Sequence, residues 1–266
     1  MPLRLRMHLL VTNDDSLDSV FLHELVHALR AAGHRLVVAA PAGEQSWIGA
    51  AKSRHRPVKS IEVDRGFGCP TWSVDGTPSD CVNIALAHLL PEDGRPIEGV
   101  VSGINVGRNT SLAFIIASGT IGGAWEGALH GLPAVAVSQD IPMAEFAHIR
   151  AHEGQPSAEI RATLKISAAH AARLAPELIA GTGPESFCVH NLNFPNPGNV
   201  DAPVRRTVPA HYVLPRLFGP AEADGAHRFV FTPGRDLSPA EPLTDIAALE
   251  QGAISHTVLD YRRLGH

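Results

Sequence analysis

The sequence predicts an α/β fold: a mostly parallel sheet with helices on both faces, followed by an extended C-terminal β arm. Three observations carry this prediction. Over residues 8–140, short apolar runs alternate with stripes of helical period. The runs are continuous rather than alternating apolar with polar, as in strands buried on both faces. A chain of 266 residues with 44% hydrophobic and 18% charged residues can fill one large core. Such an order of elements is Rossmann-like.

The elements follow in sequence. Residues 9–12 form a first strand. Leu22, Leu25, Val26 and Leu29 then repeat at i, i+3, i+4 and i+7, and Gly33 stands where a helix stops. Residues 36–40 read as a second strand closed by Pro41, and residues 71–74 as another. A helix is expected over 78–90, beginning near Thr77, then a strand over 99–102, a helix over 119–130 and a strand over 134–138. The alanine-rich stretch 161–179 predicts a helix, and 187–194 a return to the sheet. Residues 196–245 are rich in Pro, Gly and Asp, with β-like islands at 211–214 and 228–232, and read as an extended arm or hairpin. A short helix over 245–251 and a strand over 253–258 close the pattern. The expected division is a core over 1–195 and, over 196–266, an arm with a returning helix and strand that serves as an oligomerisation element.

Composition excludes several classes. A net charge of −5 gives no footprint for a nucleic-acid polymer, although a bound cation can reverse the local field toward a small anion. No stretch reaches the roughly 18 apolar residues of a membrane span, and the apolar run after Met7 is too short for a signal peptide. Cys69, Cys81 and Cys188 show neither CxxC pairing nor zinc spacing, which suits a reducing compartment. A cytoplasmic protein without membrane attachment is expected.

In parallel sheets, ligands bind beyond the carboxyl ends of the strands. That rule singles out Asn13-Asp14-Asp15, Ser46, Asp75-Gly76-Thr77 and Gly103-Ile104-Asn105. Neighbouring carboxylates repel and need compensation. One source is the N-terminus of the next helix, with Asp14, Asp15 and Ser16 as caps. The other is a hard divalent cation. On these residues alone capping has the better claim. Ser46 and Asn105 at other strand ends add a hydroxyl and an amide, which together make a Mg²⁺ or Mn²⁺ site plausible. Ser118-Gly119-Thr120 opens a helix whose free N–H groups suit a phosphate, or is an ordinary N-cap.

Val11-Thr12-Asn13-Asp14-Asp15, Val74-Asp75-Gly76-Thr77-Pro78-Ser79-Asp80-Cys81 and Val101-Ser102-Gly103-Ile104-Asn105-Val106-Gly107-Arg108-Asn109 resemble the SurE family of nucleotidases. Ser118-Gly119-Thr120 and Glu126-Gly127 continue the match in order. Weaker echoes stand at Asn191-Leu192-Asn193-Phe194-Pro195, at Thr244-Asp245 and at Ser255-His256-Thr257. The resemblance implies one divalent metal ion on Asp14, Asp15, Ser46 and Asn105. It implies phosphate contacts from Asn13, Asn109, Ser118, Gly119 and Thr120, hydrolysis of nucleoside 5′- or 3′-monophosphates, and dimers or tetramers built through the arm. Asp14 and Asp15 become the catalytic candidates, Asp14 orienting or deprotonating the attacking water.

There are departures. Ser16 replaces the family's usual Gly, Glu44 and Gln45 replace its Asn and Arg, and the loop from Asn109 to Ser118 lacks its Gly-Asp pair and its Tyr. These changes leave open a non-catalytic nucleotide- or metal-binding member of the family. His23-Glu24-Leu25-Val26-His27 matches the HExxH zinc-protease signature. However, Leu22, Leu25, Val26 and Leu29 define the buried stripe and place both histidines to one side of it. No GxGxxG follows the first strand, so a dinucleotide-binding oxidoreductase is unsupported.

Overall fold

A computed structural model describes residues 6–91 and 94–264. The strands are β1 (His8–Thr12), β2 (Arg35–Pro41), β3 (Ser60–Glu62), β4 (Thr71–Val74), β5 (Gly99–Val106), β6 (Ala134–Gln139), β7 (Cys188–Phe194), β8 (Val204–Thr207), β9 (Tyr212–Val213), β10 (Arg235–Asp236) and β11 (Ile254–Asp260). The helices are α1 (Val20–Ala31), α2 (Pro78–Ile84), α3 (Ser111–Ala117), α4 (Gly119–Leu129), α5 (Met143–Ala151), α6 (Ala158–Ala180) and α7 (Asp245–Glu250).

One nine-stranded sheet runs in the order β3-β4-β2-β1-β5-β6-β7-β11-β8. The stretch from β4 to β7 is parallel throughout. β3 pairs antiparallel with β4 at one edge, and β11 antiparallel with β7 near the other. β9 and β10 form a separate two-stranded hairpin in the arm. The expected mostly parallel sheet with helices on both faces is present. The central strands are buried along their whole length, which explains their unbroken apolar runs.

α1 and α6 cover one face. Leu22, Leu25, Val26 and Leu29 are fully buried there with Leu164, Ala168 and Ala171, at a few kcal/mol for each large side chain taken out of water. α2 and α4 cover the other face, with Val82, Ile121 and Ala124 packed on Leu10, Val37 and Val100. α2 begins where Thr77 predicted, in a capping box: Thr77 Oγ1 accepts the Asp80 N–H and Asp80 accepts the Thr77 N–H. Its α-helical part stops at Ile84 and continues to Leu89 as a π turn, so the helix expected over 78–90 is of two kinds. Among the described residues no single helix is long and apolar enough to cross a membrane.

Other expectations need correction. β5 does not end at Ser102. After a register shift against β6 it resumes pairing at Asn105 with Ser138, so Asn105 lies within a strand rather than in a loop beyond one. The 228–232 island is no strand; Phe229 makes a single bridge to Phe218, and the strand of the arm's hairpin is β10 instead. β3, α3, α5 and β8 were not foreseen. They are short or carry mixed polar faces, and tertiary contact rather than local pattern selects them.

The β5 irregularity centres on Gly103, at φ +134°. A Cβ there would lie 2.2 Å from the Val137 carbonyl oxygen on β6. Glycine is what lets the two strands stay close through the register shift that precedes Asn105. Gly103→Ala is expected to destabilise the fold by several kcal/mol; denaturant unfolding of the variant against wild type measures it.

Candidate metal and phosphate site

β1 has β2 on one side and β5 on the other, so chain connections leave it in opposite directions. The crevice beyond such a reversal is where open α/β sheets bind ligands. Asn13, Asp14 and Asp15 follow β1 directly, and Asn105 lies near the end of β5. The capping alternative for the acidic pair does not hold: α1 begins only at Val20, its N-cap is Ser19, and no side chain caps it. The intervening turn is held otherwise. Asn13 Nδ2 donates to the Ser16 carbonyl at 2.7 Å, and the Leu17 N–H donates to Pro41 O at 2.8 Å.

Asp14 points instead at the N-terminus of α4. Its Oδ1 accepts the Thr120 hydroxyl at 2.5 Å, and the Gln45 N–H donates to its carbonyl oxygen at 2.7 Å. A Cβ on Gly119 would stand 2.9 Å from Asp14 Oδ2 and 3.0 Å from Gln45 O, so only glycine admits the carboxylate so close. Asp15 Oδ2 accepts the Val106 N–H at 2.8 Å. Among the described residues no lysine or arginine pairs with either carboxylate. Burial therefore pushes Asp14 up to about 6 despite its hydrogen bonds. Burial, and secondly the charge of Asp14, raises Asp15 well above the usual carboxylate range.

Asn105 is buried, and its Nδ2 donates to the Gly107 carbonyl at 2.6 Å, which turns its Oδ1 away as a free acceptor. Ser46 is exposed, one residue beyond the Gln45 that binds Asp14. The donors gathered here are carboxylate, amide and hydroxyl oxygens, which a hard divalent ion takes. No group of three or more His, Cys, Asp or Glu side chains with metal-binding spacing exists among the described residues, so a softer thiolate or imidazole site is not on offer.

Of the residues expected to contact phosphate, Gly119 and Thr120 lie against Asp14, and Ser118 and Asn109 are each held by hydrogen bonds of their own. Ser118 caps α4, its Oγ accepting the Ile121 N–H at 3.1 Å, so its hydroxyl proton is free to donate. Asn109 donates from Nδ2 to Ser138 Oγ at 3.0 Å, which leaves its second amide proton. Its backbone is clamped from β7: the Asn109 N–H donates to Asn193 Oδ1 at 2.8 Å, and Asn191 Nδ2 donates to Asn109 O at 2.8 Å. One turn further, the buried carboxylate of Asp245 accepts the N–H groups of Ser111 at 2.8 Å and Ala210 at 3.0 Å. These three residues were only weak echoes in sequence. The available signal was two asparagines at alternate positions in an otherwise buried strand, which must be hydrogen-bonded to something.

The histidine motifs go elsewhere. His23 packs edge-on against Phe67 and bonds the Leu17 carbonyl, and His27 meets the same ring. His190 and His256 bond each other at 2.9 Å. By strand alternation His190 faces away from the side that Asn191 and Asn193 share.

Ser16 holds φ +81°, a region that favours glycine. Ser16→Gly should therefore raise stability by about 1 kcal/mol, read as a higher midpoint in denaturant. A second outcome follows from the acidic pair. A carboxyl whose folded pKa stands above its unfolded value stabilises the fold when neutral; that contribution is full below 3.8 and is lost as pH rises through about 6 for Asp14. Metal-free protein should lose this stabilisation over that window. The difference in melting temperature between wild type and Asp14→Asn, followed from pH 4 to 7, checks it, and Mn²⁺ should raise the wild-type value at pH 7 but not at pH 4.

The profile of the family described as "Survival protein SurE" matches residues 9–212. A 5′-nucleotidase SurE of Methanopyrus kandleri is 33% identical over 255 residues, covering 95% of this chain and 91% of the relative. The 5′-nucleotidase SurE of Solidesulfovibrio magneticus is 46% identical over 135 residues, 50% of this chain, and the match spans about half the relative's length (51%). That of Gloeobacter violaceus is 39% identical over 164 residues, covering 58% of this chain and 61% of the relative. Among solved structures, the SurE protein from Aquifex aeolicus superposes with a TM-score of 0.71 at 26% identity, over 95% of this chain and 93% of that one. The chain belongs to the SurE family.

Proposed function

We propose that this chain is a metal-dependent phosphomonoesterase that releases phosphate from a nucleoside monophosphate or a related nucleotide-like metabolite. The observation that carries the reading is the pair Asp14, buried, and Asp15, half-buried beside it, at the reversal point of the sheet, with no cationic side chain as partner among the described residues. A relative matched over nearly the whole chain carries the name 5′-nucleotidase. One divalent ion, Mg²⁺ or Mn²⁺, would be held by Asp14, Asp15, Ser46 and Asn105. When bound, such an ion neutralises charge on phosphoryl oxygens and lowers the pKa of water.

The chain's own groups divide the remaining work. Asp14, oriented by the Thr120 hydroxyl, orients or deprotonates the attacking water, and burial raises its carboxyl to about 6 in the metal-free protein. The Gly119 N–H, the Ser118 hydroxyl and the spare Asn109 amide proton donate to the phosphoryl oxygens, while Thr120, whose hydroxyl proton is given to Asp14, positions that carboxylate. Asn13 supports this arrangement by holding the turn after Asp15. No covalent nucleophile is called for. The protein acts in the cytoplasm as a homodimer or homotetramer assembled through the arm of residues 196–266, with no nucleic-acid polymer or membrane as partner.

Phosphate release is measured over a panel of nucleoside monophosphates and sugar phosphates with Mn²⁺, Mg²⁺ or a chelator. Release is expected with metal, is abolished by the chelator, and falls by about 10³-fold or more in Asp14→Asn and Asp15→Asn, as for removal of a principal charged group from an active site. A folded, metal-loaded wild type that binds a monophosphate but releases nothing from any of them sinks the enzymatic reading in favour of a binding protein.

A further inference from the structure

Beyond the acidic pair, the largest gathering of rings among the described residues stands beside the same site. Trp47 follows Ser46 in the chain and stands two positions after Gln45, whose N–H is on Asp14. A span of two residues reaches at most about 7 Å. The Trp47 ring lies 5.6 Å from Phe114 of α3 and 5.2 Å from Phe229 of the arm. Phe114 in turn lies 6.0 Å from Tyr212 and 6.1 Å from Phe231. α3 leads directly into Ser118, and the Gly49 N–H donates to Ala117 O at 2.9 Å, which ties the Trp47 loop to the start of α4. Rings from three segments thus form a wall continuous with the phosphate-binding turn.

Two features distinguish this wall from a core. Trp47 is 39% exposed and Phe229 47% exposed, although each already has ring neighbours. Trp47 also holds φ +61°, a backbone region that bulky residues avoid. The surrounding contacts impose a conformation that keeps a large indole at the surface next to the site. The Tyr212 hydroxyl is engaged, accepting the Gly234 N–H at 2.7 Å. Apart from the Trp47 indole N–H and the remaining Tyr212 hydroxyl proton, what the wall presents is aromatic faces and edges.

We propose that Trp47, with Phe229 beside it, is the stacking platform for the planar aromatic part of the phosphomonoester, and that it accepts any nucleobase without distinguishing among them. The proposal rests on the phosphatase reading above for its phosphate end. Stacking is sequence-tolerant because every base has a π face, and it is lost when the aromatic side chain is truncated.

The test compares wild type, Trp47→Ala, Trp47→Phe and Phe229→Ala on AMP, GMP, CMP and glycerol phosphate, with adenosine binding by calorimetry alongside. In Trp47→Ala the ratio of kcat/KM for AMP to that for glycerol phosphate should fall about 10-fold, with GMP and CMP following and adenosine binding weakened alike. Trp47→Phe should keep most of both. If Trp47→Ala does not fold, Phe229→Ala should show the same losses in smaller degree. An unchanged ratio with unchanged adenosine binding overturns the proposal, as does a loss confined to one base. A shift of Trp47→Ala to smaller oligomers by light scattering with the ratio intact also overturns it, since the rings would then face a second copy. If wild type releases phosphate from nothing, the phosphatase reading fails by itself, and the adenosine comparison still decides the platform.

Discussion

The constraint on which this structure turns is electrostatic. Two carboxylates, adjacent in sequence, are held at the end of the central strand β1, mostly out of water and with no positive side chain paired to them among the described residues. Burying like charges together is costly, and ordinary proteins relieve the cost with an arginine, a helix terminus or a bound cation. Here the helix terminus is used for Asp14 only, and incompletely, because its carboxyl remains raised to about 6. Asp15 has a single backbone donor, Val106. The pair is therefore a standing demand for positive charge that the chain does not meet from its own described residues.

Much of the surrounding architecture serves to hold that demand in place. Gly119 has no side chain because the Asp14 carboxylate and the Gln45 carbonyl occupy the space one would need. Gly103 lets β5 shift its register between Ser102 and Asn105 while the strand keeps its pairing with β6. The loop carrying Asn109 is fastened from behind by Asn191 and Asn193, and its continuation by Asp245. Strands from the last third of the chain thereby stiffen a loop from the middle third, and preorganisation of this kind is what electrostatic catalysis requires.

The parts legible in advance share a physical character. The central strands are apolar from end to end because both faces are covered, and α1 carries a full i, i+3, i+4, i+7 stripe, so their positions could be read to within a residue or two. The capping box at Thr77 and Asp80 is likewise a local matter. Illegible were elements stabilised from a distance. α3 is seven residues long, and the N–H of its first residue, Ser111, finds its acceptor on Asp245, 134 residues away. β8 is exposed along most of its length and exists as a strand because β11 lies beside it. The acidic pair was read as helix caps or metal ligands, and only the observed start of α1 at Val20 separated the two.

By itself the sequence determined the α/β class, the order of the core elements, the residues at the strand ends and the family they resemble. These rest on local periodicity, turn chemistry and motif spacing, all properties of neighbours along the chain. Only the tertiary structure decided that Asp14 meets Thr120 rather than the start of α1, that Asn105 lies within β5, that β11 inserts between β7 and β8, and that rings from three segments collect beside the site. Each of these is a pairing between residues far apart in sequence. Such pairings are set by which surfaces can be buried together and which polar groups must then find partners, and no local pattern carries that information.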